Sequence, residues 1–186
     1  MASSKRVALA AVLIAVGAVA RIGIGNITMF LPTLLYGYFI AVGLTETMTF
    51  ITGFTLGPVA GFVSGFSIIV ISDIATLPGP WTLPIAIIIG IIGVFAAMIR
   101  KVIKQLDFRV MIVAAILLTL MSETLQNVTS AVLFNTPIIP TLILGIPTLI
   151  AALANNLLLF PTVGLRVIRM ILSSESNRNN SNTIRP

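Results

Sequence analysis

The chain contains no cysteine and no histidine among its 186 residues. Disulfides, thiolate nucleophiles, histidine-ligated zinc or haem, and Ser-His-Asp catalysis are therefore excluded. Only 9% of the residues are charged, and the five acidic ones are scattered, so no paired acidic motif can hold catalytic magnesium. No Walker-type loop is present, so the chain does not hydrolyse ATP by that route. We expect no catalytic residue, no metal site and no cofactor.

Apolar residues dominate what is there. They make up 58% of the sequence, and the mean hydropathy is +1.13, which is typical of an all-α integral membrane protein. Stretches of about 20 apolar residues are long enough to span a bilayer. Six are predicted as transmembrane helices, forming one domain over residues 1–172: residues 7–25, 32–51, 54–75, 81–100, 110–134 and 139–167. The polar remainder, 173–186, is predicted to be a disordered cytoplasmic tail.

The basic residues predict how these helices are oriented. With six spans and both termini in the cytoplasm, ten of the eleven basic residues lie inside, as the positive-inside rule requires. This distribution also explains the net charge of +6 without a nucleic-acid partner. The ten are Lys5, Arg6, Arg100, Lys101, Lys104, Arg109, Arg166, Arg169, Arg178 and Arg185. The exception, Arg21, is left near the outer mouth, where it can meet an anionic group or extend toward the interface.

The first helix has two interpretations. Lys5 and Arg6, a short apolar run and the small residues at 18–20 also fit a cleaved secretory signal. Cleavage would leave every later helix in the same orientation, so counting charges does not discriminate. We favour a retained helix.

Small residues recur at helical spacing in two places. Ala8, Ala11, Ala15 and Ala18 share one face of the first helix, which another helix can approach closely. Docking of another subunit and packing within the bundle are both open for this face. A second ladder, at 53, 57, 61 and 65, consists of glycines, and we expect it to pack inside the bundle.

Polar side chains inside the spans are the candidates for a ligand site, because such groups are costly at membrane depth. Glu123 lies past mid-membrane in the fifth span, and Asn127 is one turn further along the same face, with Gln126 and Ser130 close by. A ligand contact and an interhelical hydrogen-bond clamp are both open for this stripe.

The sixth span carries two adjacent asparagines. Asn155 and Asn156 point about 100° apart, so at most one faces a cavity and the other bonds to a neighbouring helix. Pro147 and Pro161 interrupt the hydrogen-bond ladder of the same predicted helix, and kinked helices often line sites.

Two further side chains receive an interpretation. Trp81 opens the fourth span after Asp73 and a Pro/Gly-rich loop, and both an interfacial belt role and stacking on a ligand are open for it. Glu46 is placed close to the inner end of the second span, in reach of water, with a mainly structural role.

These features together resemble the substrate-binding S component of energy-coupling factor (ECF) transporters. The resemblance rests on six spans with both ends inside, on Ala11 and Ala15 as an AxxxA motif, and on the segment LGPVAGFVSGFSIIVISDI at 56–74. A Pro/Gly-rich outer loop and the run IIIGIIG at 87–93 follow in the same order. It covers residues 5 to about 170.

The resemblance implies a multi-pass protein of the cell membrane that takes part in ATP-driven import of a vitamin or related micronutrient. The substrate would bind near the outer face under a loop, here Arg21 to Thr33. The partners would be a transmembrane coupling subunit, which contacts the AxxxA face, and two cytoplasmic ATPases. Substrate-binding candidates are Arg21, Trp81, Glu123, Gln126, Asn127 and Asn155. Two rival functions remain, an integral membrane enzyme and a non-transporting structural subunit.

Overall fold

The computed structural model describes the backbone of residues 3–30, 35–103 and 106–183, and the side chains of residues 4–23, 43–103 and 106–174. Within these ranges the chain is helical and contains no strand, which confirms the all-α class. The long helices are α1 (Ser3–Phe30), α2 (Leu35–Leu56), α3 (Pro58–Ala75), α4 (Thr82–Val102) and α5 (Phe108–Leu133). They are followed by α6 (Ile138–Leu144), α7 (Ile146–Leu159), a π-helical turn (Phe160–Gly164) and α8 (Leu165–Thr183).

The helices present apolar side chains outward and enclose polar ones. Large valine, leucine and isoleucine side chains are exposed on α1, α3, α4, α5, α6 and α7, whereas several threonines, serines and acids are fully buried. Continuous apolar surface of this kind indicates contact with lipid. Five stretches among the described residues are long and apolar enough to cross a membrane: Ser4–Gly23, Pro58–Ala75, Thr82–Val102, Phe108–Leu133 and Ile146–Ser174. The chain is therefore described as a multi-pass membrane protein.

Two predicted helix ends are wrong. α1 was expected to end at residue 25, before a loop from Arg21 to Thr33, but it continues to Phe30. A glycine lowers the stability of a helix by only about 1 kcal/mol relative to alanine. Breaking the helix in an apolar environment would cost more, because the freed backbone groups would find no water to bond. α2 was expected to end at residue 51 and continues to Leu56. It stops before Gly57, whose φ of 105° is a conformation that side-chain-bearing residues rarely adopt.

The predicted sixth span, 139–167, is also not one continuous helix. It divides at Gly145 into the short α6 and α7, and Pro147 stands in the first turn of α7, where no backbone donor is lost. Pro161 lies in the π-helical turn, which accommodates its missing donor. The backbone of α8 extends to Thr183, within the polar tail at 173–186, and the side chains after residue 174 lie outside the described residues. The expectation of a disordered tail stays a prediction.

The second helix, α2, is the centre of the bundle. Every residue from 45 to 55 is buried, and α2 packs against α1, α3, α4, α7 and α8. A threonine-rich helix tolerates this because its hydroxyls bond its own carbonyls one turn back: Thr47 to Gly43 at 2.7 Å, Thr52 to Met48 at 2.8 Å and Thr55 to Ile51 at 2.7 Å. Ser64 of α3 adds a bond to the Thr52 hydroxyl at 3.2 Å.

The glycine ladder packs α2, α3 and α4 together, as expected for a role inside the bundle. It does not lie on one helix, because Gly53 belongs to α2 and Gly57 separates α2 from α3. A Cβ at Gly61 would lie 2.5 Å from the carbonyl oxygen of Gly93 and 2.6 Å from the Cα of Gly53. The three backbones are therefore as close as backbones can be.

Two caps fix one end of the bundle. At the end rich in basic residues, Arg100 donates to the carbonyls of Phe54 and Thr55 at 2.9 and 2.6 Å, which satisfies the last turn of α2. At the same end Asp107 accepts from the Val110 amide at 2.8 Å and caps α5. The C-terminal end of α5 lies at the opposite side of the bundle, and so does the loop between α3 and α4.

Candidate functional site

A buried polar cluster lies between α2, α5 and α7, in the middle of the apolar bundle. Its centre is Asn156 of α7, whose amide nitrogen donates to Glu46 Oε2 on α2 and to Thr119 Oγ1 on α5, the second at 2.7 Å. All three side chains are completely buried. Ser122, one turn after Thr119, adds its hydroxyl beside the Glu46 carboxyl group. We call these four residues the polar cluster.

Part of the hydrogen-bonding capacity of this region is unused within the described part of the chain. Glu46 Oε1, Asn156 Oδ1 and the Thr49 hydroxyl are buried and have no hydrogen-bond partner there. More than nine in ten buried polar groups in proteins are paired, and leaving one unpaired costs about 1–3 kcal/mol. Three such atoms, two on α2 and one on α7, are therefore free to bond a partner outside the described side chains.

The polar stripe on α5 leads from this cluster toward the end of the bundle opposite the basic residues. Ser122 is fully buried, Glu123 is 9% exposed, and Gln126 and Asn127 are half-buried. Gln126 donates to the Ser122 hydroxyl at 2.9 Å and so continues the cluster. The predicted stripe thus exists, and it forms a graded path from the bundle centre to its end.

Asn127 belongs to this stripe but is engaged within the chain. Its amide nitrogen donates to the Glu123 carbonyl at 2.9 Å, and its side chain lies against the backbone of Gly145, where α6 meets α7. A side chain at Gly145 would require the Asn127 side chain to move. Asn127 therefore packs α5 against the α6–α7 junction, but its hydrogen bond lies within α5, so the interhelical hydrogen-bond role left open for the stripe stays a prediction.

The two asparagines of α7 do divide their roles, with Asn156 as the interhelical donor. Asn155 is half-buried and lies beside Gly43 of α2. A Cβ added at Gly43 would be 3.1 Å from the Cβ of Asn155. Asn155 is thus next to the cluster, facing the N-terminal half of α2.

The position expected for Glu46 is wrong. Glu46 was placed near the inner end of its span, in reach of water, but it is the twelfth residue of the 22-residue α2 and is 0% exposed. The cause is the extension of α2 to Leu56, which moves Glu46 from the helix end to its middle. Sequence reasoning therefore missed the acid at the cluster centre. The available signal was the run TETMTFIT, in which one acid is surrounded by helix-bonding threonines.

Arg21 forms an ion pair within the chain. Its Nη2 lies 3.1 Å from Asp73 Oδ1, with the two side chains 17% and 4% exposed. Asp73 Oδ2 accepts from the Thr82 hydroxyl at 2.9 Å, and that hydroxyl accepts from the Gly79 amide at 3.1 Å. This network joins α1 to the C-terminal end of α3 and to the start of α4. Arg21 thus has an anionic partner within the chain, and its contact with a ligand stays a prediction.

Trp81 closes the same end of the bundle. Its indole lies over the backbone of Gly79 and tilts at 40° against the ring of Phe134, with centroids 6.5 Å apart. Trp81 is half-buried and connects the α3–α4 loop to the end of α5. The network and Trp81 form the wall at the end where the α5 stripe emerges.

The alanine face of α1 is exposed over most of its length. Ala8, Ala11 and Ala15 are exposed, together with Val12. Ala18 is different, because it is 3% exposed and buried against the chain's own helices. It is removed from the predicted docking face, which consists of the first three alanines.

A separate groove of about 260 Å³ lies between the end of α4 and the start of α5, lined by apolar side chains and Arg109. It has no contact with the polar cluster. The described residues contain no group of three or more acidic side chains positioned to hold a metal ion.

Comparison of the chain with protein-family models, with curated proteins and with solved structures finds no match.

Proposed function

We propose that the chain is the substrate-binding S component of an ECF-type importer in the plasma membrane. It has six transmembrane helices and cytoplasmic termini, with α2 as the sixth span in addition to the five apolar stretches. It binds a vitamin or related micronutrient in the polar cluster, reached along the α5 stripe from the outer face. ATP hydrolysis belongs to two partner ATPases.

The observation that carries this proposal is the incompletely paired polar cluster inside an apolar bundle. A bundle that only needed stability would be at least as stable with apolar residues of the same volume at these positions. Ionisable groups at membrane depth generally serve binding or transport. The exposed alanines of α1 support the second half of the proposal, because close helix contact in a bilayer relies on small residues.

The binding half is tested with the purified chain alone, in detergent or lipid nanodiscs, by thermal unfolding against a panel of micronutrients. We expect one compound to raise the melting temperature without any ATPase present, since a ligand at 100 times its Kd stabilises by about 2.7 kcal/mol. A structural subunit, favoured by the three-helix clamp at Asn156, predicts no shift with any compound. A membrane enzyme predicts turnover that depends on Glu123.

The partner half is tested by co-purification with a coupling subunit and two ATPases from the native host. Ala11→Leu adds a bulky side chain to the exposed face of α1 and is expected to abolish co-purification while leaving ligand binding intact. Ala154→Leu makes the same change at an exposed alanine of α7 and serves as the matched control. Unchanged assembly in Ala11→Leu contradicts the docking role of the alanine face.

A further inference from the structure

The charge around the polar cluster is one-sided. Glu123, the residue directly after Ser122 of the polar cluster, is a second acidic side chain in this part of α5 and is only 9% exposed. The sequence contains no lysine, arginine or histidine between Arg21 and Arg100, nor between Arg109 and Arg166. No basic side chain therefore arises from α2, from α5 after its first turn, or from α7. Arg21, the one basic residue of the outer half, is paired with Asp73.

The buried atoms without a hydrogen-bond partner are mostly acceptors, so they too favour a positively charged group. Both protons of the Asn156 amide are occupied, by Glu46 and Thr119. Among the described side chains, the atoms that remain unpaired are Glu46 Oε1 and Asn156 Oδ1, which accept when the carboxyl group is ionised, and the Thr49 hydroxyl, which can do either. The groups missing from this region are therefore donors.

A positively charged donor group satisfies both conditions at once. A buried carboxylate costs several kcal/mol unless it is paired and hydrogen-bonded. An ammonium group brings one positive charge and up to three N–H donors, which match the carboxylate and amide oxygens left free. An anionic group would instead add a third negative charge beside two carboxylates.

We infer that the substrate of this chain carries a positively charged nitrogen, of the protonated-amine type, which binds between Glu46, Glu123 and Asn156. This inference rests on the proposed substrate-binding function and narrows its ligand to organic cations. Gln126 and Glu123 form the polar approach along which the cationic group reaches the cluster.

The test uses the full chain in phosphatidylcholine nanodiscs and follows thermal unfolding at constant ionic strength. Cationic probes are methylammonium, choline and pyridoxamine. Pyridoxine is the matched neutral probe, because a hydroxyl replaces the amine of pyridoxamine. Pantothenate and biotin are the anionic probes, and sodium and potassium chloride test an inorganic cation. We expect the melting temperature to rise with at least one ammonium probe and to remain unchanged with the neutral and anionic ones.

Two isosteric variants assign the effect to the cluster. Glu46→Gln and Glu123→Gln each remove one negative charge with little change in shape. Each is expected to weaken binding of the ammonium probe at least tenfold. Asp107→Asn removes a negative charge at the opposite end of α5 and keeps a good N-cap residue, so its affinity should equal that of the parent chain. If Glu46→Gln does not fold, Glu123→Gln gives the same comparison.

The outcomes separate this inference from the proposed function. Stabilisation by pyridoxine, pantothenate or biotin alone overturns the inference and leaves the substrate-binding function standing. If sodium or potassium stabilises the chain at least as much as every ammonium probe, the ligand is an inorganic cation and the inference of an organic one is overturned. Full affinity in both variants also overturns it. If no probe and no micronutrient shifts the melting temperature, the inference and the proposed function fail together.

Discussion

The contact of α3 with α4 makes a sharp prediction for Gly61. In Gly61→Ala the new methyl group would lie 2.5 Å from the Gly93 carbonyl oxygen and 2.6 Å from the Cα of Gly53. Ordinary van der Waals contacts of a Cβ are 3.4–4 Å. Both obstructing atoms are backbone, so no side chain can rotate away. The helices must separate by nearly 1 Å, which loosens packing over their whole contact.

The cost follows from this geometry. Adding a methyl group to a fully packed site destabilises by about 1–3 kcal/mol, and the rigid backbone neighbours place Gly61→Ala near 3 kcal/mol. For a chain of this length that lowers the melting temperature by about 6–12 °C. Gly23 is the matched control, since nothing lies within 4 Å of its added Cβ and it stands inside α1. Gly23→Ala should be neutral or stabilise by up to about 1 kcal/mol.

Both variants are measured by thermal unfolding in one detergent, with the single tryptophan, Trp81, as the fluorescence probe. Because Trp81 contacts Phe134, the residue directly after α5, its emission reports separation of the helix ends. The reasoning is refuted if Gly61→Ala melts with the parent chain, or if Gly23→Ala loses as much stability as Gly61→Ala.

Three further predictions concern buried or capping charges, all read from the same melting curves. Without ligand, Glu46→Gln should raise the free energy of unfolding by about 1–3 kcal/mol and so melt at a higher temperature, because an amide costs less to bury than an unneutralised carboxylate. A lower melting temperature would contradict the account of the cluster. Asp73→Asn leaves Arg21 unpaired and should destabilise by about 3 kcal/mol, with partial recovery when Arg21→Met is added, whereas no recovery would exclude a charge effect. Arg100→Met removes the charged donor from the last carbonyls of α2 and should cost about 1.5 kcal/mol, less at high salt; an unchanged melting curve would show that water replaces the cap.

Much of the helical layout was predictable because the bilayer imposes length and composition on each element. Four predicted spans overlap α1, α3, α4 and α5 closely, and the breaks near residues 78 and 104 were read from proline, glycine and charge. The glycines were rightly assigned to packing within the bundle. Helix ends were less predictable, since glycine breaks a helix only when the backbone has another place for its hydrogen bonds. Gly57 adopts a positive φ and ends α2, whereas α1 passes through Gly23 and Gly25.

Of the site, only the part on α5 was predictable from the sequence. Glu123, Gln126 and Asn127 were found because they interrupt an apolar helix, and they do form a connected stripe on α5. Glu46 was missed because its depth depends on where α2 ends, which local sequence did not reveal. The ion pair of Arg21 was missed because its partner, Asp73, is 52 residues away, and long-range ion pairs leave no local pattern.

The account depends on the polar cluster being a ligand site, and calorimetric titration of the purified chain tests this most directly. The account predicts binding of one ammonium-bearing ligand per chain without ATPases, and at least a tenfold loss of affinity in Asn156→Leu, which removes the donor shared by Glu46 and Thr119. A chain that binds no ligand, or an Asn156→Leu variant that binds as tightly as the parent, would contradict it.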